Sequence, residues 1–304
     1  MDKANLKSLV TGGCGFIGSH IVDELINRGH EVVVIDDESA ESNDAFFHNE
    51  KATYFKFSIA DYKKIEPLFS EVDYVFHLAA ESRIQPTLER PQDACVTNFV
   101  GTCNVLQAAR AHNIKRVMYS STSSGYGLKN EIPLREDMER DCLNPYAVTK
   151  VAAEDLARMY YTLWGLPTVI FRYFNIYGER EPTKGQYAPV VGLFLRQLRH
   201  KEALTIVGDG EQRRDFTNVA DVVQANMLAM SVENEKVLGE IFNIGTGNNH
   251  SVLELAQMIT DNYTFIPSRP GEAQNTLADI TKARTLLGYS PSVKIEEWIK
   301  QKIT

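Results

Sequence analysis

The sequence predicts an α/β fold in which a doubly wound parallel sheet is joined to a smaller, interleaved C-terminal α/β lobe. Short apolar runs alternate with helical patterns through the first half of the chain, as in a parallel sheet covered by helices on both faces. The runs VVVI and YVFHLAA are almost continuously apolar, which is typical of strands buried on both faces. After about residue 176 the rhythm changes to shorter elements between loops rich in Gly, Pro and Arg, so a second lobe is expected there.

The elements of the sheet can be placed in order along the chain. The strand candidates are LKSLVTG, EVVVID, ATYFKF, DYVFHLA, IKRVMYSS and LPTVIFRYFN. Between them, apolar residues recur at helical spacing in FIGSHIVDELINRG, DYKKIEPLFS, DACVTNFVGTCNVLQAARAHN and NPYAVTKVAAEDLARMYYTLWG. We assign residues 1–176 to the first domain and 177–304 to the lobe, and we expect GEIFNIGTG to return one strand, near 240–246, to the main sheet.

The composition argues against several classes of partner. A net charge of −8 disfavours a nucleic-acid or anionic-membrane surface, because both need a basic face. No segment approaches the ~20 consecutive apolar residues of a membrane span. The four cysteines and seven histidines are dispersed, without the spacing of a disulfide framework or a metal site. We therefore expect a cytoplasmic protein with no metal, no nucleic-acid partner and no membrane partner.

The first strand runs directly into a glycine-rich turn, GGCGFIGS, that opens a helix. Gly12 would permit the tight turn, Gly15 the close approach of a pyrophosphate, and Gly18 the packing of helix on strand. The helix N-terminus adds free N–H groups and the positive end of its dipole. The second strand ends in Asp36 and Asp37, where a carboxylate can accept hydrogen bonds from an adenosine ribose. No arginine follows to hold a 2′-phosphate, so the pattern predicts a Rossmann-type site for NAD rather than NADP.

A second motif, NPYAVTK, opens a later helix, with Asn144 as the expected N-cap and Pro145 at the first helical position. Tyr146 and Lys150 then lie one turn apart on the same face, about 6 Å along the axis. A tyrosine with a pKa of about 10 is a poor base, and moving that pKa to near 7 needs roughly 4 kcal/mol of phenolate stabilisation. A neighbouring ammonium and a nicotinamide cation are able to supply it. A YxxxK pair standing alone is equally a surface pair.

Hydroxyl side chains cluster in SSTSSGYG, where the fifth strand ends. Ligands bind at the carboxyl ends of strands in open α/β sheets, so Thr122 is placed to hydrogen-bond both a substrate hydroxyl and the oxygen of Tyr146. Ser120 and Ser121 are expected only to satisfy backbone groups of the turn.

The glycine turn, HLAAES after the fourth strand, SSTSSGYG, YAVTK and RYFNIYG together resemble the extended short-chain dehydrogenase/reductase family over nearly the whole chain. The resemblance implies that Thr122, Tyr146 and Lys150 are the catalytic residues and that NAD is bound tightly and not consumed. In one departure, Ser58 and Ile59 stand where the family often has an acidic residue touching adenine. The positions expected to contact the cofactor are Gly12, Gly15, Phe16, Ile17, Gly18, Asp36, Asp37, Ser58, Ile59, Leu78, Ala79, Ala80, Asn98, Tyr146, Lys150 and Tyr173.

The residues after Thr122 distinguish the reactions of this family. Sugar 4,6-dehydratases resemble T-D-E here, because eliminating water needs an additional acid and base. UDP-glucuronate decarboxylases usually carry a glutamate at the position of Ser124. This chain has Ser123 and Ser124 instead. Epimerisation at C4 needs only hydride transfer and one shared proton, and it is the reaction that we predict.

The C-terminal half resembles the UDP-hexose 4-epimerases, especially a branch active on N-acetylated sugars. The resemblance gives Asn175, Arg214 and Arg269 to the sugar diphosphate, with Arg213 as an alternative, and arginine suits phosphate because its planar fork binds two oxygens. Thr276 falls where a large tyrosine would exclude an N-acetyl group, so UDP-GlcNAc and UDP-GalNAc should fit, with UDP-Glc and UDP-Gal also allowed. The expected substrate contacts are Ser82, Thr122, Ser123, Ser124, Asn175, Gln186, Tyr187, Ala188, Thr205, Val207, Arg214, Arg269, Glu272 and Thr276.

Two alternatives stay open at this point. One is a UDP-glucuronate 4-epimerase or decarboxylase. The other is an NAD-sensing regulatory protein without catalysis. The presence of all three residues Thr122, Tyr146 and Lys150 argues against it. Family members pair helices equivalent to 93–112 and 146–164 in a dimer, so a homodimer is expected, although an internal core face would give the same apolar pattern.

Overall fold

The computed structural model describes residues 6–40, 43–184, 188–267 and 274–303. Its strands are β1 (Lys7–Thr11), β2 (Glu31–Ile35), β3 (Thr53–Phe55), β4 (Tyr74–His77), β5 (Arg116–Thr122), β6 (Thr168–Tyr173), β7 (Ile176–Tyr177), β8 (Leu204–Val207), β9 (Arg213–Arg214), β10 (Thr217–Asn218), β11 (Glu240–Ile244), β12 (His250–Ser251) and β13 (Tyr263–Ile266). Its α-helices are α1 (Phe16–Asn27), α2 (Tyr62–Ile65), α3 (Ile84–Glu89), α4 (Pro91–Ala94), α5 (Thr102–Ala111), α6 (Pro145–Trp164), α7 (Val190–Arg199), α8 (Val219–Ser231), α9 (Val252–Ile259), α10 (Thr281–Leu287) and α11 (Ile295–Ile303). A π-helical segment, Cys95–Gly101, joins α4 to α5, and 3₁₀ turns cover Glu66–Phe69, Ser123–Tyr126 and Glu235–Val237.

The main sheet has seven strands in the order β11-β6-β5-β4-β1-β2-β3, and each neighbouring pair is parallel. Each of the six strand candidates forms one of these strands, and the seventh, β11, pairs with β6 at the edge. The predicted fold class is therefore confirmed. Because β1 lies between β2 and β4, the strand order reverses there, and such a switch point opens a crevice at the carboxyl ends of the strands.

Two apolar cores cover the two faces of the main sheet, which is why its central strands are buried throughout. On one face α1, α8 and α10 contribute Ile21, Leu25, Val222 and Ala283. On the other face, α5 and α6 contribute residues such as Leu106. Both layers are formed by side chains at helical spacing that face the sheet.

The smaller lobe has its own core and two short sheets. Strands β8 and β13 pair in parallel and β9 and β12 antiparallel, and α7, α9 and α11 pack against them through residues such as Phe194 and Leu255. A capping box fixes the start of α9, because Ser251 and Glu254 each accept a backbone N–H of the other. The chain enters this lobe after β7, returns to the main sheet for α8 and β11, and leaves it again. No helix in the described ranges is both long and apolar enough to cross a membrane.

Candidate active site

A cavity of about 620 Å³ opens at the carboxyl ends of the strands of the main sheet and continues to the lobe. Its wall is built from the glycine turn, the loops after β2 and β4, the end of β5, the start of α6 and several lobe residues. The glycine turn and the loop after β2 belong to the dinucleotide fingerprint, the end of β5 carries the hydroxyl cluster, and the start of α6 carries the YxxxK pair. The cavity therefore brings together motifs that are far apart in the sequence.

The glycines of the turn are required for different reasons. Gly12 has φ +71°, and a Cβ there would lie 2.6 Å from the backbone nitrogen of Ala79. At Gly18 a Cβ would collide with the carbonyl oxygen of Gly12, so helix α1 packs closely on the turn only with glycine. A Cβ at Gly15 would lie 3.4 Å from the Gly12 oxygen, which is close to ordinary van der Waals contact. A side chain at Gly15 would therefore fit the backbone but would occupy space in the cavity.

Asp36 and Asp37 both line the cavity at the end of β2. The carboxylate of Asp36 accepts the backbone N–H of Cys14 at 2.9 Å and that of Glu38 at 2.8 Å. Asp36 thus connects the glycine turn to the end of β2. Burial raises the pKa of its carboxyl group, and the two backbone hydrogen bonds lower it. The carboxylate of Asp37 accepts the N–H and hydroxyl of Ser39.

The start of α6 positions Tyr146. The side chain of Asn144 accepts the N–H of Ala147 at 2.9 Å, and Pro145 occupies the first helical position, so both predicted capping residues are confirmed. Tyr146 and Lys150 both line the cavity, as does Thr122 at the end of β5. Burial raises the pKa of Tyr146, whereas hydrogen bonding to Thr122 and the positive charge of Arg83 lower it.

Lys150 is buried, and its Nζ lies 4.5 Å from the ring centroid of Tyr119. Burial lowers the pKa of Lys150 to about 7, and the negative charge of Glu154 partly opposes this. Glu154 is itself held by Arg172, whose Nε and Nη2 donate to its two oxygens at 3.0 and 2.8 Å, and by the hydroxyl of Ser121. A buried ion pair behind the site therefore fixes the position of the carboxylate whose charge acts on Lys150.

Two residues expected at the cofactor lie outside the cavity wall, and the remaining fourteen line it. Asn98, in the π-helical segment, donates to the hydroxyl of Thr149 and to the carbonyl of Glu81, and it accepts the N–H of Glu81 at 2.8 Å. Its amide is thus occupied in holding the loop after β4 against α6. Ser58 is the other, whereas Ile59 beside it lines the cavity.

The lobe contributes the opposite end of the cavity. The predicted substrate contacts found in the wall are Ser82, Thr122, Ser123, Ser124, Asn175, Ala188, Thr205, Val207 and Arg214. Thr276 is not in the wall, but its hydroxyl donates to Asn175 Oδ1 at 3.3 Å. Gln186, Tyr187, Arg269 and Glu272 lie outside the described residues.

The adjacent arginines of β9 have different surroundings. Arg213 forms a bidentate ion pair with Glu254, in which Nη1 and Nη2 donate to the two carboxylate oxygens at 2.9 and 3.0 Å. Its Nε also donates to the side-chain oxygen of Asn249. Arg214 lines the cavity. Since consecutive side chains of a strand point to opposite sides, only Arg214 of the two faces the ligand space.

Sequence reasoning missed part of the wall. The loop after β4 contributes Glu81, which lies in HLAAES but was not expected to contact a ligand, and this loop and the start of α3 also contribute Arg83, Ile84 and Gln85, which belong to no motif. Further unpredicted wall residues include Ser39, Asn43, Phe46, Phe57, Thr97, Ile176, Pro182, Pro189, Leu193 and Gln212. The one signal in the sequence for these residues was that they follow β4, a strand that ends at the cavity between β1 and β5.

A family model described as the NAD dependent epimerase/dehydratase family matches residues 8–245. The chain belongs to this family. A putative UDP-glucose 4-epimerase of Methanocaldococcus jannaschii is 36% identical, with 96% of each chain covered. A UDP-N-acetyl-alpha-D-glucosaminuronate decarboxylase of Bacillus cytotoxicus is 37% identical, over 98% of this chain and 96% of that one. A crystal structure of the UDP-glucose 4-epimerase of Thermotoga maritima with UDP-glucose superposes with a TM-score of 0.92 at 34% identity, covering 98% and 97%.

Solved relatives in the epimerase/dehydratase family contain bound NAD, and the family depends on it. The described residues fit this group. The glycine turn leaves room for a ligand at Gly15. Gly15 is also the N-cap of α1, and because no side chain there accepts the first N–H groups of the helix, a phosphate could accept them. The same cavity continues past Asp36 and Ala79 to Tyr146 and Lys150.

Proposed function

We propose that the protein epimerises C4 of a UDP-hexose, with UDP-GlcNAc and UDP-GalNAc as the favoured pair and UDP-Glc and UDP-Gal also accepted. The observation that carries the proposal is the continuity of one cavity from the glycine turn, past Thr122, Tyr146 and Lys150, to Asn175 and Arg214. A dinucleotide and a nucleotide sugar placed end to end would meet at Tyr146. Family relatives with UDP-glucose 4-epimerase in their names support this reading.

The residues divide the chemistry between them. Bound NAD supplies the acceptor and donor of the hydride. Tyr146, as phenolate, takes the proton of the C4 hydroxyl and returns it, while Thr122 orients that hydroxyl. Lys150 lies one helical turn from Tyr146, where its charge favours the phenolate. Arg214, with Arg269 as a further expected contact, anchors the diphosphate while the sugar turns over.

Burial alone works against Tyr146, since it raises the pKa of the phenol. Thr122 and Arg83 lower this pKa already, and the positively charged nicotinamide ring would lower it further when bound. Such a base works only with the cofactor in place. The proton would otherwise stay on the phenol.

Decarboxylation of a UDP-hexuronate is the second candidate, favoured by the Bacillus cytotoxicus relative. Ser124 counts against it, because the hydroxyl of Ser124 accepts that of Thr122 at 3.1 Å where a decarboxylase would carry a carboxylate. A purely NAD-sensing protein is disfavoured by the complete Thr122, Tyr146 and Lys150 set in the cavity wall.

The deciding experiment incubates the protein separately with UDP-Glc, UDP-GlcNAc and UDP-GlcA and resolves the products by NMR. We expect C4 epimers of the first two, with no net change in NADH absorbance at 340 nm. Stoichiometric release of NADH with a stable keto sugar would replace the proposal by a dehydrogenase. Formation of a UDP-pentose from UDP-GlcA would identify a decarboxylase.

We further propose a homodimer. Val96, Phe99, Val100, Val148 and Leu163 on the π-helical segment and α6 are exposed, and a second copy would cover them. Analytical ultracentrifugation at micromolar concentration should give about twice the monomer mass of 34.2 kDa. A monomer at this concentration would remove the proposal. The cytoplasmic location remains a prediction.

A further inference from the structure

Three side chains of metal-binding type meet beside the glycine turn. Cys14 lies in the turn itself, and Glu38 and His48 lie in the loop between β2 and β3. The Sγ of Cys14 is 3.6 Å from Nε2 of His48, and the same nitrogen is 2.9 Å from Oε1 of Glu38. One ligand atom from each residue lies within 4.8 Å of the other two. Because the three positions come from separate segments, their spacing matches no metal motif, and the sequence predicts no site here.

The distances between these three ligand atoms suit a tetrahedral ion. Zinc binds thiolate sulfur at about 2.3 Å and imidazole nitrogen or carboxylate oxygen at about 2.0–2.2 Å. Tetrahedral angles then place the sulfur about 3.5 Å from the nitrogen, and the nitrogen about 3.4 Å from the oxygen. The distance between Cys14 and His48 is already close to this value. The distance between His48 and Glu38 has to open by about 0.5 Å, which a small rotation of the half-exposed His48 ring allows.

Backbone hydrogen bonds hold the ligands together. The carboxylate of Asp36 accepts the N–H of Cys14 at 2.9 Å and that of Glu38 at 2.8 Å, so it fixes the turn relative to the start of the loop. The N–H of Phe47 donates to the carbonyl oxygen of Cys14 at 3.0 Å, which keeps the next residue, His48, beside the turn. The site is therefore assembled by the fold before any ion binds.

The surroundings of Cys14 favour a cation. Burial raises the pKa of its thiol to about 12, and the negative charges of Asp36 and Glu38 raise this pKa further. A cation beside the sulfur would compensate these charges, and the thiol proton would pass to solvent as the thiolate binds. Lys56 donates to Oε2 of Glu38 at 2.8 Å, so Oε1 stays directed to His48. An outer-shell donor of this kind orients a ligating carboxylate.

We propose that Cys14, Glu38 and His48 bind a zinc ion, with a water molecule as the fourth ligand. A thiolate and an imidazole select Zn²⁺ over Mg²⁺ and Ca²⁺, which prefer oxygen ligands. The sulfur is buried, but the side chain of His48 is 46% exposed and gives the ion a path from solvent. This site takes no part in the chemistry at Tyr146, and it does not depend on which sugar the protein binds.

The zinc ion would act on the cofactor site through Asp36. The three ligands lie behind the cavity wall that the described residues form, so zinc and a dinucleotide can be bound together. Asp36 lines the cavity and accepts hydrogen bonds from both the turn and the loop. Ser39, Asn43 and Phe46 line it as well, and they belong to the segment between two of the ligands. Joining the turn to both ends of this segment would preorganise the wall, so zinc should tighten NAD binding, and by linkage NAD should tighten zinc binding by the same factor.

The test is a calorimetric titration with Zn²⁺ of the full-length chain, free of any affinity tag and stripped of metal with a chelator. The wild type should bind one ion per chain. Cys14→Ser and His48→Gln should each weaken the Kd for zinc by at least about 100-fold, because even outer-shell changes at a metal site cost about 10- to 100-fold. Cys95→Ser and His200→Gln remove an exposed thiol and an exposed imidazole elsewhere, and these matched controls should bind zinc as the wild type does.

Two further measurements separate the site from its effect on the cofactor. Co²⁺ bound in place of zinc should give a thiolate-to-metal charge-transfer band in the near ultraviolet, and Cys14→Ser should abolish it. The zinc titration repeated with saturating NAD should lower the Kd for zinc by about fivefold or more in the wild type. In His48→Gln the addition of NAD should leave the Kd for zinc unchanged, which excludes binding of zinc to the nucleotide as the cause.

Three results would overturn the site: a wild type that binds no zinc, equal zinc affinity in the wild type and both ligand variants, or a cobalt complex without the charge-transfer band. A wild type whose Kd for zinc is the same with and without NAD would overturn the link to the cofactor. If the melting temperature shows that Cys14→Ser does not fold, His48→Gln and the cobalt spectrum of the wild type decide the question.

Discussion

Tyr146 is a phenol whose pKa is raised by burial, yet it is the residue expected to act as the base. The structure identifies what opposes burial, namely Thr122 and the charge of Arg83. Lys150, which the YxxxK spacing places one turn away, has a pKa that burial lowers to about 7 and that the negative charge of Glu154 partly raises again. Activation of Tyr146 is thus shared among several groups.

Replacing Tyr146 by Phe tests this assignment. The ring and its packing remain, so we expect NAD content to stay at the wild-type level while turnover falls by about 10³-fold, a typical contribution of acid–base catalysis. Epimer formation followed by NMR gives the rate, and absorbance of the denatured supernatant gives the cofactor. Tyr62→Phe, on α2 and outside the cavity wall, is the matched control. Turnover within tenfold of wild type in Tyr146→Phe would exclude Tyr146 as the base.

The residues that the sequence alone places at the cavity are those whose position depends on local geometry. Gly12, Gly18, Tyr146 and Lys150 act through a turn or one helical repeat, and such spacings are visible in the sequence. Sequence reasoning did not find Arg83, because that contact depends on β4 lying next to β1 and β5.

At the junction of β1, the glycine turn and α1, some glycines are required for folding and others for ligand binding. Both Gly15 and Gly18 line the cavity, but a Cβ at Gly18 would collide with the carbonyl oxygen of Gly12, whereas a Cβ at Gly15 has room. The helix pattern FIGSHIVDELINRG predicts α1, but only the positions of neighbouring atoms distinguish the two glycines. The six predicted strands did not need information about neighbouring atoms, because a buried parallel strand is recognisable from its own apolar residues.

We predict that Gly18→Ala and Gly15→Ala differ in kind. Gly18→Ala should lower the free energy of unfolding by about 3 kcal/mol, because its Cβ collides with the Gly12 carbonyl. Gly15→Ala should change it by under ~1 kcal/mol but raise the Kd for NAD at least tenfold, since its Cβ occupies the cradle. Urea unfolding without cofactor and calorimetric NAD titration measure the two quantities. Equal loss of stability in both variants would contradict this division.

At the scale of the whole molecule, stability should depend on pH through His77. This buried histidine bonds the hydroxyls of Thr11 and Thr102 at 2.6 and 2.8 Å and so links β4 to β1 and α5. Burial lowers its pKa to about 3. In the unfolded chain a histidine takes up its proton near pH 6.5, so the unfolded state binds more protons between these two values. The contribution is complete above pH 6.5 and is lost as the pH falls.

We therefore expect His77 alone to cost about 2 kcal/mol of unfolding free energy between pH 8 and pH 5. Urea unfolding at both values in wild type and His77→Gln isolates this contribution, because the variant lacks the titrating ring and its slope should be shallower by that amount. His200→Gln, on the exposed surface, serves as the control. An unchanged pH slope in His77→Gln would show that His77 does not titrate as inferred.

The repeated passage of the chain between main sheet and lobe also limits how the molecule can be recombined. Strand β11 and helix α8 lie between two lobe segments in sequence but belong to the core of the main sheet. A chimaera that takes its nucleotide-sugar specificity from a relative therefore cannot be built with one crossover after residue 176. Such a crossover would import the edge strand and α8 with the lobe, and these would have to fit a foreign β6 and α1. Exchange of the lobe needs several junctions, placed where the chain leaves and re-enters the main sheet.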